Sequence, residues 1–211
     1  CCGDGISDIF RELGASVISG GQTMNPSAED ILNAVEKNPA KQLVILPNNS
    51  NIILTAEQVK SMASKPVEVV PSKFVTQGLS AMLSFNAESD AATNAGEMKE
   101  VLPEIINGEL TFSVRPAKLN GFDIAEGDIL ALLNGDIVAS GSDMDSIFEE
   151  LAAKMISQKQ DSEMITLYWG NDLGEEKAKQ MAKILEEQYP EQEIEVYFGG
   201  QPLYYFLISV E

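Results

Sequence analysis

Three turns hold the side chains of this sequence best suited to meet a ligand: Cys2-Gly3-Asp4-Gly5, Gly20 to Ser27, and Pro47-Asn48-Asn49-Ser50-Asn51. Within them Gln22, Thr23, Asn25, Ser27, Asn48, Asn49 and Asn51 offer neutral donors and acceptors, a set that could hold a carboxylate or a phosphate by hydrogen bonds. Each turn leads into a predicted helix, whose first N–H groups lack intrahelical acceptors and favour an anion. The same residue types also cap helices and close turns for local reasons. Both readings stand, an anion site and a set of caps.

The chemistry such a site could add is narrow. The chain has no histidine, so there is no Ser-His-Asp or Cys-His constellation, no histidine general base and no imidazole metal ligand. Its two cysteines are the neighbours Cys1 and Cys2, which give neither a disulfide framework nor a metal set. Gly3-Asp4-Gly5 is not a dinucleotide fingerprint, because Asp8 stands where the third glycine would be. There is no phosphate-binding G-x-x-x-x-G-K-[ST] loop and no aspartate cluster suited to magnesium. No catalytic residue, metal ligand or cofactor is therefore assigned. Gly199-Gly200-Gln201 repeats the tripeptide at Gly20, which is also the catalytic tripeptide of translation release factors; with Pro202 it reads here as a turn between two strands.

The elements that must position these turns alternate in the manner of β-α units on a parallel sheet. Ile6, Ile9, Phe10 and Leu13 mark a helix, and Val17-Ile18-Ser19 a strand. Asn25 caps a helix with Pro26 in its first turn and Ile31, Leu32, Ala34 and Val35 on its apolar face. Leu43 to Leu46 reads as a strand buried on both faces, ended by Pro47. Asn51 caps the next helix, running to Ala63; Val67 to Val70 is a strand, and Val75 to Leu83 a helix. After Asn86 the pattern becomes a long helix through Met98 to Ile106, a strand from Leu110 to Val114, and then Asn134-Gly135 between two apolar runs, a strong hairpin signal. Helices over Met144–Ile156 and Glu175–Gln188 surround a strand at Met164–Trp169, and Ile194 to Phe198 and Leu203 to Val210 finish the chain. The expectation is an α/β protein: a Rossmann-like parallel-sheet subdomain over 1–115, followed by a mixed-sheet subdomain over 116–211.

Fourteen basic and 33 acidic side chains give a formal net charge of −19. Such a chain is repelled by nucleic acid and by anionic lipid headgroups. The field is uneven, with 9 basic and 14 acidic groups in residues 1–118 against 5 and 19 in residues 119–211. No apolar run approaches the roughly 18 residues of a membrane-spanning helix, and the start has no signal-peptide pattern. A cytoplasmic location without stable membrane insertion is expected.

Gly20-Gly21-Gln22-Thr23-Met24-Asn25-Pro26-Ser27, Leu46-Pro47-Asn48-Asn49-Ser50-Asn51-Ile52, and Gly199-Gly200-Gln201-Pro202-Leu203-Tyr204 with Ile208-Ser209-Val210-Glu211 resemble the C-terminal domain of the bacterial fatty acid kinase A subunit. The resemblance spans nearly the whole chain. It implies a fold similar to DegV-like acyl-binding proteins and to the substrate subunit of dihydroxyacetone kinase. It also implies a non-catalytic domain that recruits an acyl-binding DegV-like partner, so that a separate N-terminal kinase domain of the same full-length chain can phosphorylate fatty acids. ATP and Mg are then expected only in that kinase domain, and a homodimer is left open. Dihydroxyacetone-binding relatives hold their substrate through a histidine, which this chain lacks. The alternative is a domain holding a fatty acid or small anion in its own crevice at the polar turns. Only two residues precede Gly3, as expected of a piece of a longer protein.

Overall fold

The structure, a computed structural model, describes residues 3–20, 25–119 and 121–211. Cys1, Cys2, Gln22 and Thr23 lie outside the described residues. The chain forms two compact units, one over Ser7–Ile105 and one over Ile106–Glu211 that also takes in Gly3–Ile6.

Helix α1 (Asp4–Glu12), which belongs to the first unit from Ser7 on, leads to a segment over 15–20 that is assigned no strand. Here the structure departs from the strand expected at Val17-Ile18-Ser19. After it come α2 (Ala28–Lys37), β1 (Leu43–Ile45), α3 (Ser50–Met62), β2 (Val67–Val69), α4 (Val75–Leu83) and α5 (Ala91–Val101), with a 3-10 turn at Leu102–Glu104. Strands β1 and β2 pair in parallel, Leu43 opposite Val67 and Ile45 opposite Val69. Side chains of a strand alternate between faces. Leu43 and Ile45 accordingly join Ile31, Val35, Ile52 and Val59 of α2 and α3 in one core. Val44 and Leu46 pack on the other side with Ala81, Ala95 and Met98 of α4 and α5. Two helices thus cover each face of a short parallel ladder, the doubly wound arrangement.

The caps differ from those expected. Ser27, not Asn25, caps α2: its Oγ accepts from the Asp30 N–H at 3.1 Å and its own N–H donates to Asp30 Oδ2 at 3.0 Å. Asn49, not Asn51, caps α3 by accepting from the Asn51 N–H at 2.9 Å. In both cases the side chain that reaches back to the N2 or N3 amide decides the cap.

The second unit begins ten residues earlier than expected, because β3 (Ile106–Phe112) is a central strand of its sheet. A small hairpin, β4 (Ala117–Leu119) and β5 (Phe122–Ile124), precedes β6 (Ile129–Leu133) and β7 (Asp136–Gly141). The turn between β6 and β7 is Asn134-Gly135, with φ of 52° and 91°, the positive pair a type I′ hairpin turn requires. Then follow α6 (Met144–Gln158), β8 (Met164–Trp169), α7 (Glu175–Gln188), β9 (Glu193–Phe198) and β10 (Tyr204–Val210). The six-stranded order is β7-β6-β3-β10-β8-β9, antiparallel except for β8 and β9, which α7 connects. Helices α6 and α7 bury Phe148, Leu151, Met155, Met181 and Leu185 against Leu110, Leu167, Phe206 and Ile208 on one sheet face. Gly108 lets α6 approach, since a Cβ there would run into Met155 Sδ. The Gly199-Gly200-Gln201 turn is structural: both glycine N–H groups donate to the Trp169 carbonyl, and Gln201 Nε2 donates to the Tyr168 carbonyl at 2.7 Å. Gly3 and Gly5 pack against this turn and Phe198, and the Ile6 N–H donates to the Gly199 carbonyl at 3.0 Å.

Glu109 of β3 is half-buried on the sheet face opposite α6 and α7. Burial pushes its carboxyl from 4.5 up to about 7, against the opposing pull of a hydrogen bond with Asn107. The unfolded chain therefore loses this proton at lower pH than the folded one, so the stability involved is whole below about 4.5 and is lost as pH rises through about 7. In urea unfolding, Glu109→Gln should match the parent near pH 4.5 and exceed it near pH 8 by up to about 3 kcal/mol. Equal stabilities at the higher pH would contradict a buried carboxyl.

Candidate functional site

The site starts from the backbone of β1. The Leu43 N–H donates to the Pro66 carbonyl at 3.1 Å and the Ile45 carbonyl accepts from the Val70 N–H at 3.0 Å, so these residues face β2. Successive residues of an extended strand direct their backbone groups to opposite edges. Val44 and Leu46 therefore direct theirs to the edge that has no strand partner among the described residues.

A cavity of about 620 Å3 runs along that edge. Val17 and Ile18 line one side, Val44 and Leu46 the other; Ile31 and Val35 of α2 and Met82 and Met98 around α4 and α5 complete an apolar wall. This volume lies within the ~300–1,000 Å3 typical of small-molecule pockets. It also explains why Leu43 to Ile45 is half-buried instead of buried on both faces. An expected third strand over Val17-Ile18-Ser19 would have covered the edge that the cavity occupies.

Polar side chains along the wall are spent on building it. Asn94, 1% exposed, accepts from the Asn86 N–H at 2.7 Å and donates to the Asn86, Ser89 and Asp90 carbonyls. Gln42 Oε1 accepts from the Ala91 N–H at 3.0 Å. Asn38 accepts from the Ala40 N–H and donates to Ser16 Oγ.

The expected site residues are brought together in part. Asn49 Nδ2 donates to Asn25 Oδ1 at 3.3 Å, joining the second and third turns. Asn48 has a φ of 55°; its N–H donates to Ser72 Oγ at 3.0 Å, and that hydroxyl donates back to Asn48 Oδ1 at 2.6 Å. Asn48 and Pro47 line the cavity at the carboxyl end of β1. Ser27 is committed to the α2 cap, and its hydrogen bonds hold the Asp30 carboxyl below the usual carboxylate range. Asn51 is exposed and meets Asn49 through its backbone. Gly3 to Gly5 belong to the second unit's turn instead. The cavity is also lined by Val44, Lys41, Gln42, Phe85 and Asn94, none of which carries a signal in composition or spacing that would single it out. Among the described residues no cluster of three or more acidic or cysteine side chains is placed to hold a metal ion. No helix among them is long and apolar enough to cross a membrane.

A family model described as the C-terminal region of fatty acid kinase A-subunit-like proteins matches residues 1–211. Protein YloV of Bacillus subtilis is 43% identical over 210 residues, covering 99% of this chain and 38% of that protein. The chain thus spans about two fifths of the length of the curated relatives it matches. Among solved structures, the fatty acid kinase B3 protein of Streptococcus pneumoniae, loaded with linoleic acid, aligns with a TM-score of 0.64 at 14% identity over 98% of this chain and 83% of its own. A DegV family protein of Corynebacterium glutamicum gives 0.70 at 13% identity, over 97% and 92%. The dihydroxyacetone kinase of C. freundii gives 0.58 at 10%, over 88% and 41%. At these identities the structures establish a shared fold.

Removing a cap or crowding the third turn should register as stability. By chemical denaturation, Ser27→Ala and Asn49→Ala should each lose about 1 kcal/mol. Gly78→Ala, whose added Cβ would run into Asn48 Oδ1, should lose about 1–3 kcal/mol. A Gly78→Ala protein as stable as the parent would show that the Asn48–Ser72–Gly78 contact is loose.

Proposed function

Because the chain belongs to the family of fatty acid kinase A-like C-terminal domains, we propose that it is a non-catalytic domain that recruits an acyl-binding, DegV-like partner. A separate kinase domain of a longer polypeptide then phosphorylates the partner's fatty acid, and ATP and Mg act there and not in this chain. The observation that carries this reading is the match over the whole chain to relatives of which it is only 38%. The rest of their length leaves room for a catalytic domain. The carboxylates of residues 119–211 supply a field that speeds encounter with a basic partner surface more than it tightens the final complex.

The test is association kinetics with the acyl-binding partner across a salt series. Raising ionic strength from about 0.01 to 0.15 M shortens the Debye length from about 30 to about 8 Å. The on-rate should fall markedly over that range while the off-rate changes less. Failure to bind at any salt would overturn the recruitment reading, and a salt-indifferent on-rate would overturn the steering.

The cavity favours a second reading, in which the chain itself holds a fatty acid along β1. Its wall is apolar and each methylene buried there contributes about 0.8 kcal/mol, so a long chain is retained without strong polar contacts. Mass spectrometry of lipid released from the purified protein by mild extraction should then find fatty acid at a level comparable to the protein. An empty protein that also fails to take up added palmitate would leave recruitment alone.

A further inference from the structure

The two ends of the cavity differ in exposure and in charge. At the amino end of β1 the lining residues Gly14, Ser16, Lys41, Gln42 and Phe85 are all exposed. At the carboxyl end Pro26, Pro47, Asn48 and Ile52 are half-buried or buried. Among the described residues the open mouth is therefore at the amino end, opposite to the carboxyl end where open α/β sheets usually receive ligands.

Charge points the same way. Lys41 is the only cation among the lining residues described, and it makes no ion pair or hydrogen bond with any described residue. In a chain of net charge −19, an ammonium at this mouth that pairs with no described residue complements an anionic head. The acids flanking the nearby Ser89 are Glu88 and Asp90; Asp90 is oriented by the Thr93 N–H in capping α5, and both are charges that an incoming carboxylate must outcompete at Lys41. Among the described residues of the polar turns at the other end, Asn48 is held by Ser72, Asn49 caps α3, and Ser27 is closed on Asp30, an anion already placed in the first turn of α2.

We propose that the cavity admits a single unbranched alkyl chain ending in a carboxylate through the amino end of β1, tail first, and that the carboxylate stays at Lys41. This rests on the reading of the cavity as a ligand site and deepens it by fixing the polarity of the ligand. The tail then lies beside Val44 and Leu46 and ends against Ile18, Pro47 and Ile52. Lys41 chooses between a fatty acid and the uncharged alcohol of the same length.

Palmitic acid carrying a photoreactive diazirine at its last carbon tests this directly. After irradiation of the protein and peptide mapping, the adducts should fall on Ile18 and on Pro47 to Ile52. Adducts on Phe85 to Ala91 instead would overturn the orientation while leaving the cavity as a ligand site. Absence of saturable labelling at any cavity residue would overturn the ligand-site reading, and the proposal with it. A second arm uses Lys41→Gln, an exposed position where the fold is not at stake: affinity for palmitate should drop roughly 2- to 5-fold, as for an ion pair at a rim, with affinity for hexadecanol unchanged. Equal losses for both ligands, or none for palmitate, would remove Lys41 from the site.

Discussion

The hydrogen-bonding direction of three residues governs the first unit. Leu43 and Ile45 turn their backbone groups toward β2, so Val44 must turn its own the other way. A strand edge left without a ladder has to be covered, paired or kept away from water by side chains. Here it is flanked by apolar residues from both helix layers and by Val17 and Ile18, which come close without completing a third strand. The cavity follows from that arrangement. So does the half-burial of β1, and so does the division of the unit into two small cores, one on each side of the ladder.

The second unit is governed differently. Its central strands β3, β10 and β8 are paired on both edges, and its helices lie on one face only. Tight approach at Gly108 and the ring contact of Phe148 with Phe206, 5.3 Å between centroids, join α6 to the sheet. Apolar alternation serves the helix-covered face, and the other face carries Asn107, Glu109 and Thr111 of β3. This explains how a strand central to the sheet can hold an ionisable group whose proton affinity is shifted toward neutrality.

Much of the fold could be read from the sequence because local signals agreed with long-range pairing. Asn134-Gly135 specified its hairpin through the positive φ that both residues accept, and the helices over Val75–Leu83, Met144–Gln158 and Glu175–Gln188 followed apolar periodicity. Misreadings arose where neighbouring candidates compete by a geometry that the sequence does not display. Asn25 and Ser27 are both good caps, and only the reach of Ser27 to Asp30 settles which one acts. Ile105-Ile106 looks like the end of a helical stripe, yet Pro103 and the 3-10 turn at Leu102–Glu104 close the helix and send Ile106 into β3. Val17-Ile18-Ser19 has strand composition but is assigned no strand among the described residues.

The candidate site was legible only at its rim. Of the expected polar set Gln22, Thr23, Asn25, Ser27, Asn48, Asn49 and Asn51, the structure joins Asn25 to Asn49 and fixes Asn48 against Ser72, while Gln22 and Thr23 lie outside the described residues. Nothing in composition or spacing reveals a cavity, because a cavity is the absence of a neighbour at a strand edge. The most direct measurement of that absence is amide hydrogen exchange at four consecutive residues of the protein without added ligand. If the outer edge of β1 is open, the Leu43 and Ile45 amides exchange slowly while those of Val44 and Leu46 exchange orders of magnitude faster. Equal protection at all four would mean that the edge is paired and the cavity closed.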